Sequence, residues 1–177
     1  MTFDSVVLPH LDAGYTLARH LLGDAVDAED VVQESVLRAL RYFHTLRDPS
    51  GARAWFLAIV RRECWSGRGQ GAMRVPTVPF DAAPPAQLTD PAAAPDAAAH
   101  RAMLVARVSA AIAALPDRLR EALVLREVQR CTYEEIALIT EVPLGTVMSR
   151  LSRARKRLQA AVTTSVRTSD AGEGAVR

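Results

Sequence analysis

The sequence lacks the segments that mark membrane and secreted proteins. Its 177 residues contain no run of the roughly 18 to 20 apolar residues that a membrane-spanning helix requires. Asp4 and Asp12 are acidic where a secretory signal peptide is basic. We therefore expect a cytoplasmic protein that does not insert into a membrane.

Cysteine and histidine are too few and too scattered to form a reactive site. Cys64 and Cys131 are far apart and have no CxxC spacing, which favours two buried thiols over a metal or redox site. The four histidines stand without a nucleophile or a metal-spaced partner. No alternating strand pattern and no ATP-binding motif occurs. We predict an all-α protein that is not an enzyme, with no catalytic residues, no metal and no cofactor.

Lysine is almost absent, and many of the arginines that stand in its place are concentrated in two stretches of the sequence. Among 22 basic residues only Lys156 is a lysine. Residues 53–74 hold five Arg and one Glu, and residues 146–158 hold four Arg and Lys156 with no acid. Residues 75–100, between these islands, hold three Asp and no basic residue. Two basic islands separated by acidic chain indicate two contacts with a polyanion.

Prolines and alanines are concentrated at residues 75–99, where almost no large apolar side chain is available to bury a core. We predict a helical domain at residues 1–70, an extended linker at 71–99, a second helical domain at 100–162 and a disordered tail at 163–177. Because we predict a flexible linker, we expect nothing to fix the separation of the two basic islands.

Helical spacing of apolar residues defines three helices in the first domain. The first ends at Gly23, the second runs from an Asp27 N-cap to Phe43, and the third covers about residues 52–65 after the Asp48–Gly51 loop. The side chains predicted to face inward on the second helix are Val31, Val32, Val36, Leu37 and Leu40.

The second domain has the outline of a helix-turn-helix. A helix near residues 98–114 stops before Pro116, and the next helix buries Leu119, Leu123, Val124 and Val128. Thr132 to Glu135 form a capping box for a short helix, and Thr146 caps a last helix that reaches about Ala161. Arginines at the outward positions of that helix are typical of a helix that enters the major groove.

Two blocks of motifs resemble the extracytoplasmic-function (ECF) sigma factors of the sigma-70 family. The block similar to region 4 consists of Leu115-Pro116, Tyr133–Ala137, Gly145–Val147 and Ser149–Arg155. The block similar to region 2 consists of Asp27–Glu34 and Arg53–Leu57. The resemblance implies a DNA-binding subunit of bacterial RNA polymerase that recognises minus-ten and minus-thirty-five promoter elements and melts DNA.

The resemblance also implies site residues. On the second helix we expect core RNA polymerase to contact Asp30, Gln33, Glu34 and Arg38. The minus-ten element is expected to contact phosphate-holding arginines and stacking rings: Arg47, Arg53, Trp55, Arg61, Arg62 and Trp65. We expect Phe56 to lie in the core. The residues expected to contact the minus-thirty-five element are Thr146, Met148, Ser149, Arg150, Ser152, Arg153 and Lys156.

Two positions depart from the family pattern. Glu141 stands where the family usually has Gly, at a turn residue that often adopts positive φ, and Met148 stands where a Lys or Arg is common. Because no inhibitory extension is visible in the sequence, we expect control by a separate anti-sigma factor. A sigma-like decoy that binds an anti-sigma protein and a dimeric helix-turn-helix regulator remain as alternatives.

Overall fold

The computed structural model describes residues 2–68 and 95–172, with side chains for residues 2–66 and 101–163. Every regular element in these ranges is helical, as predicted. The eight α-helices of these ranges are α1 (Phe3–Val6), α2 (Leu11–Leu22), α3 (Ala25–Tyr42), α4 (Ala52–Arg68), α5 (Pro95–Ala113), α6 (Asp117–Leu123), α7 (Tyr133–Thr140) and α8 (Leu144–Gly172). Most of the expected linker, residues 71–94, lies outside the described residues.

The first helices begin and end at residues suited to their termini. Gly23 ends α2 with φ of 82°, a left-handed conformation that glycine adopts without strain, and its N–H donates to the Arg19 carbonyl at 3.0 Å. Asp24, not the predicted Asp27, caps α3. The Asp24 carboxylate accepts from the N–H groups of Val26 and Asp27 at 2.8 and 3.0 Å. Asp27 lies in the first turn, where its charge favours the helix dipole.

The buried face of α3 agrees with the prediction at Val31, Val32 and Val36, which pack half-buried against the core, but not at Leu37 and Leu40. Small side chains, Ala28, Ser35 and Ala39, form its buried face. Leu37 and Leu40, which the sequence places inward, are 57% and 55% exposed. The reason is rotation: at 100° per residue, Leu37 lies about 200° from Ser35 and therefore points away from α2 and α4.

Glycine allows α2 and α4 to pack closely. A Cβ atom on Gly14 would lie 2.7 Å from Cε1 of Phe56 and 3.2 Å from Cγ2 of Val60. Phe56 is fully buried, which confirms its predicted place in the core. The missing side chain on α2 therefore makes room for the largest buried side chain of α4.

In the second half, the capping box is as predicted. The Thr132 Oγ1 accepts from the Glu135 N–H at 3.1 Å, and the Glu135 carboxylate accepts from the Thr132 N–H at 2.7 Å. A single π-helical turn, Val124–Val128, continues α6. This turn leaves Val128 exposed, so the prediction that it faces inward is wrong.

Helix α8 begins earlier and ends later than predicted. It starts at Leu144, so Thr146 lies inside its first turn and is not its cap. The N–H groups of Thr146 and Val147 instead donate to the Pro143 carbonyl at 2.8 and 3.2 Å. The helix continues to Gly172, where the sequence predicted an end near Ala161 and a disordered tail from residue 163.

One hydrophobic core joins the two halves of the described chain. We call α1–α4 the N-terminal lobe and α5–α8 the C-terminal lobe. Leu17, Phe56 and Val60 of the first lobe belong to the same buried cluster as Leu125 and Ile136 of the second. Helix α4 packs against α7, and α2 packs against α6 and the π turn. The prediction that nothing fixes the separation of the two basic islands is therefore wrong for this structure.

Candidate nucleic-acid interface

Helices α7 and α8 form the predicted helix-turn-helix. Ile136, Val147 and Leu151 are buried and set the crossing of the two helices. Glu141 ends α7 at φ 55° and ψ 43°, the left-handed conformation expected for the position where the family usually has Gly. A non-Gly residue there costs about 1 kcal/mol. The turn keeps the usual geometry despite this substitution.

The outward face of α8 presents most of the side chains predicted for the minus-thirty-five element. Met148, Ser149, Ser152, Arg153 and Lys156 are exposed, and Thr146 is half-buried. The Arg153 guanidinium donates to the Ser149 carbonyl and hydroxyl, both at 3.2 Å. Both bonds are exposed to solvent, so Arg153 can exchange them for a base or a phosphate at little net cost.

Arg150 is the exception on α8. Its side chain is only 16% exposed, and its Nη1 lies 3.8 Å from the Glu121 carboxylate. Burial lowers the pKa of Arg150, while the negative charge of Glu121 opposes that change. Arginine stays charged in spite of such shifts. Arg150 is therefore a buried cation held against the domain, not a side chain free to reach DNA.

Four of the six residues predicted for the minus-ten element contact the C-terminal lobe. The Arg53 guanidinium donates to the backbone and side-chain oxygens of Gln129 at 2.6 and 2.7 Å. Arg62 forms an ion pair with Glu141, the turn residue of the helix-turn-helix. The third and fourth residues, Arg61 and Trp65, both donate hydrogen bonds to the Glu121 carboxylate.

A fully buried carboxylate joins the two basic islands. The Glu121 Oε1 accepts from Arg61 Nε at 2.6 Å and from Trp65 Nε1 at 2.8 Å. Its Oε2 lies 3.7 Å from Arg118 and 3.8 Å from Arg150. Arg118 also lies over the Trp65 ring at 4.9 Å. We call Glu121, Arg61, Trp65, Arg118 and Arg150 the Glu121 cluster.

The other two residues predicted for the minus-ten element do not bridge the lobes. Arg47 is exposed in the loop before α4, where it is open to a phosphate. Trp55 is half-buried and packs against the core. The structure therefore brings Arg53, Arg61, Arg62 and Trp65 together against one surface and leaves Arg47 and Trp55 apart from it.

The surface predicted to bind core polymerase is open. Asp30, Gln33 and Glu34 are exposed on α3, and Arg38 forms an ion pair with Glu63 of α4 at 2.7 Å. The exposed Leu37 lies on the same face. Two acidic side chains and one large apolar side chain thus lie side by side on this exposed face.

Sequence reasoning missed the acceptors on the C-terminal lobe. Glu121 is embedded in an apolar stretch and shares a helical face with Val124 and Leu125, a pattern that predicts burial. Gln129 and Glu141 carry no such signal. Arg155, also not predicted as a site residue, forms an ion pair with Glu127 at 2.8 Å.

Neither a reactive thiol nor a metal-binding cluster is present in the described part of the chain. Both cysteines are buried thiols, as predicted, and burial raises the pKa of the Cys131 thiol. Among the described residues, no group of three or more His, Cys, Asp or Glu could hold a metal ion. No helix in the same ranges is long and apolar enough to cross a membrane.

The chain is similar to known sigma factors over most of its length. Residues 6–68 match Sigma-70 region 2, and residues 106–158 match Sigma-70, region 4. It is 35% identical over 168 residues to the ECF RNA polymerase sigma factor SigE of Mycolicibacterium smegmatis, covering 89% of this chain and 60% of that protein. It is 31% identical over 165 residues to the RNA polymerase sigma-H factor of Pseudomonas aeruginosa, covering 90% of this chain and 86% of that one.

Solved structures agree with this relationship. The sigma factor RpoE in complex with the anti-sigma factor NepR from Bartonella quintana superposes with a TM-score of 0.68 at 25% identity, covering 91% of this chain and 96% of that one. CnrH in complex with the cytosolic domain of CnrY shares the fold, with a TM-score of 0.64 at 23% identity and coverage of 92% and 88%. The chain belongs to the extracytoplasmic-function group of the sigma-70 family.

Proposed function

We propose that this chain directs core RNA polymerase to specific promoters and initiates transcription there. In this proposal α8 enters the major groove at the minus-thirty-five element. Helix α4 and the loop before it contact the melted minus-ten element, and α3 binds core polymerase. The observation that carries the proposal is the exposed cationic face of α8 in a chain that matches both sigma regions in order.

The charge on α8 supports the DNA contact. Residues 146–158 carry five cations and no acid. Arg153, Lys156 and Arg157 are exposed on this stretch. An arginine at such a position can pair with a guanine edge, and the neighbouring cations can hold phosphates. A decoy has no need of this face, because its partner is a protein.

The proposal is tested by in vitro transcription. Core polymerase with and without the purified chain is given a genomic fragment library, and transcript starts are mapped. We expect starts that require the chain and share a minus-thirty-five and a minus-ten motif. A chain that binds core polymerase but produces no start would contradict initiation and favour the decoy.

The polymerase surface has its own test. Asp30→Arg should weaken association with core polymerase, because Asp30 is exposed on α3 and supports no part of the core. Asp12→Arg makes the same charge change at an exposed position on α2 and serves as the matched control. Unchanged affinity of Asp30→Arg for core polymerase, measured by anisotropy of labelled chain, would place the surface elsewhere.

We further propose an anti-sigma partner, because the similar RpoE and CnrH were solved in complex with NepR and CnrY. Fractions of an extract from the source organism would be added to the transcription reaction. We expect one fraction to inhibit, with the inhibition titrated out by excess chain and the isolated complex identified by mass spectrometry. Absence of titratable inhibition in every fraction would count against the partner.

A further inference from the structure

Three guanidinium groups surround one carboxylate in the Glu121 cluster. Arg61 contacts Glu121 directly, and Arg118 and Arg150 lie within 4 Å of its second oxygen, at 3.7 and 3.8 Å. Glu121 Oε2 and Arg150 Nη1 are both buried and have no hydrogen bond in the described part of the chain. The cluster therefore holds more positive than negative charge. Among the described residues, the Oε2 atom of Glu121 is held only by the charges of Arg118 and Arg150 and accepts no hydrogen bond.

Three guanidinium groups can hold an anion, and the Glu121 carboxylate accepts hydrogen bonds through only one of its two oxygens. A phosphate group offers more acceptor oxygens than a carboxylate and pairs well with arginine forks. The ring of Trp65, which carries Arg118 over its face at 4.9 Å, belongs to the same group. Arginine with an aromatic ring is the combination that binds single-stranded nucleic acid.

The neighbouring contacts between the lobes have the same character. Arg53 donates to two oxygens of Gln129, and Arg62 pairs with Glu141. Each arginine of α4 from Arg53 to Arg62 thus faces an oxygen acceptor of the C-terminal lobe, as it would face a nucleic-acid backbone. Glu141 forms its pair from a left-handed backbone position that disfavours glutamate.

We propose that Glu121 is an internal counter-ion that takes the place of a DNA phosphate at Arg61, so that Arg61 can bind a phosphate only when the lobes separate. The proposal rests on the proposed function, because the phosphates belong to promoter DNA. In the closed chain Glu121 masks Arg61 and Trp65 of the minus-ten surface together with Arg150 of α8. Separation of the lobes would leave Glu121 with Arg118 and Arg150 on the C-terminal lobe and would expose Arg61 and Trp65. The closed chain consequently binds single-stranded DNA less tightly than the open chain.

The test uses the full-length chain without polymerase. Glu121→Gln removes the charge but keeps the size and an acceptor for Arg61 and Trp65. Glu134→Gln makes the same charge change at an exposed position on α7 and is the matched control. The probe is a fluorescein-labelled, mixed-sequence, single-stranded oligonucleotide, with binding followed by anisotropy across a salt series. Small-angle scattering gives the radius of gyration of each variant, and circular dichroism its helicity.

We expect Glu121→Gln to keep its helicity, to expand and to bind the probe at least about tenfold more tightly than Glu134→Gln, since breaking a buried pair has large effects. The salt dependence should steepen by about two to three phosphate contacts, as Arg61, Arg118 and Arg150 become available. A folded Glu121→Gln chain that matches Glu134→Gln in size, affinity and salt slope would overturn the proposal.

A second variant decides the matter if Glu121→Gln does not fold. Glu141→Gly removes the Arg62 pair and also relieves the left-handed strain, so the turn should remain intact. Both partners are more than half exposed, so loss of this pair should strengthen probe binding by about two- to fivefold. A folded Glu141→Gly chain with unchanged probe binding would then overturn the proposal.

These results are separate from those for promoter-directed initiation. Promoter-directed initiation is tested with the unmodified chain in core-dependent transcription. The counter-ion proposal is tested by probe binding of the variants in the absence of core polymerase. If the chain is active in transcription but Glu121→Gln and Glu134→Gln bind the probe equally, only the counter-ion proposal is contradicted. If the chain is inactive in transcription, the proposed function is contradicted, even when Glu121→Gln binds the probe more tightly than Glu134→Gln.

Discussion

Replacing Arg153 by alanine tests whether α8 recognises bases or only holds phosphates. Arg153 is exposed, and its only hydrogen bonds in the described part of the chain are the two solvent-exposed ones to Ser149, within the same helix. Its loss should therefore leave the fold unchanged. If Arg153 pairs with a guanine edge, the variant loses about 1–3 kcal/mol on the preferred element, which is about 5- to 150-fold in affinity.

The assay selects the preferred promoter sequence directly. Holoenzyme containing the unmodified chain or Arg153→Ala binds to a DNA library randomised across the minus-thirty-five element, and the bound sequences are read. Arg101→Ala, an exposed arginine on α5, controls for the lost charge. We expect Arg153→Ala to lose its preference at one base pair and to keep the preferences at the others. Arg101→Ala should select the same sequences as the unmodified chain.

Two outcomes would refute this reasoning. An equal loss of affinity on every selected sequence would make Arg153 a phosphate contact, because phosphates are the same in all sequences. No change in affinity or preference would mean that α8 does not lie in the major groove in the proposed way. Arg150→Ala cannot replace this test, since the Arg150 side chain is mostly buried beside Glu121 and its loss also removes a cation from the Glu121 cluster.

Four other substitutions test charge, packing, capping and titration. Met148→Arg should strengthen DNA binding across sequences and steepen its salt dependence by about one contact, measured by anisotropy; an unchanged slope would contradict it. Gly14→Ala should lower the urea midpoint, because a Cβ 2.7 Å from the Phe56 ring costs about 1–3 kcal/mol against a gain of about 1 kcal/mol in helix propensity. Thr132→Ala should cost about 1 kcal/mol of stability in the same assay by removing the capping box, and an unchanged midpoint would count against this. Burial lowers the pKa of His20, so its protonation favours the unfolded chain, and stability should fall as pH drops below about 6.5; His20→Gln should reduce this loss, and an unaltered pH profile would argue against His20.

Features that depend on neighbouring residues could be predicted from the sequence. The end of α2 at Gly23, the Thr132 capping box and the helix-turn-helix are set within a few residues. The cap of α3 was predicted wrongly because Asp24 and Asp27 are both good caps, and the sequence alone does not choose between them. The start of α8 was predicted too late for a similar reason, since Thr146 is a suitable cap but Pro143 already accepts the first N–H groups.

Contacts between distant residues could not be predicted. Arg61 and Glu121 lie 60 positions apart, and Arg62 and Glu141 lie 79 apart. Arg61 has the same local pattern whether it contacts DNA or a carboxylate of the other lobe. The exposed positions of Leu37 and Leu40 were missed for a related reason, because the small residues Ala28, Ser35 and Ala39 give little hydrophobic signal.

The π turn at Val124–Val128 determines where Gln129 lies. The Gln129 N–H donates to the Val124 carbonyl at 3.0 Å, and the side-chain amide of Gln129 donates to the Ala13 carbonyl at 3.1 Å. Removing one residue from this turn would rotate everything after it by about 100° relative to α6 and would take Gln129 away from Arg53. The same deletion would also shift α8 against α6, on which it packs. The register of this turn therefore couples the contact between the lobes to the core of the C-terminal lobe.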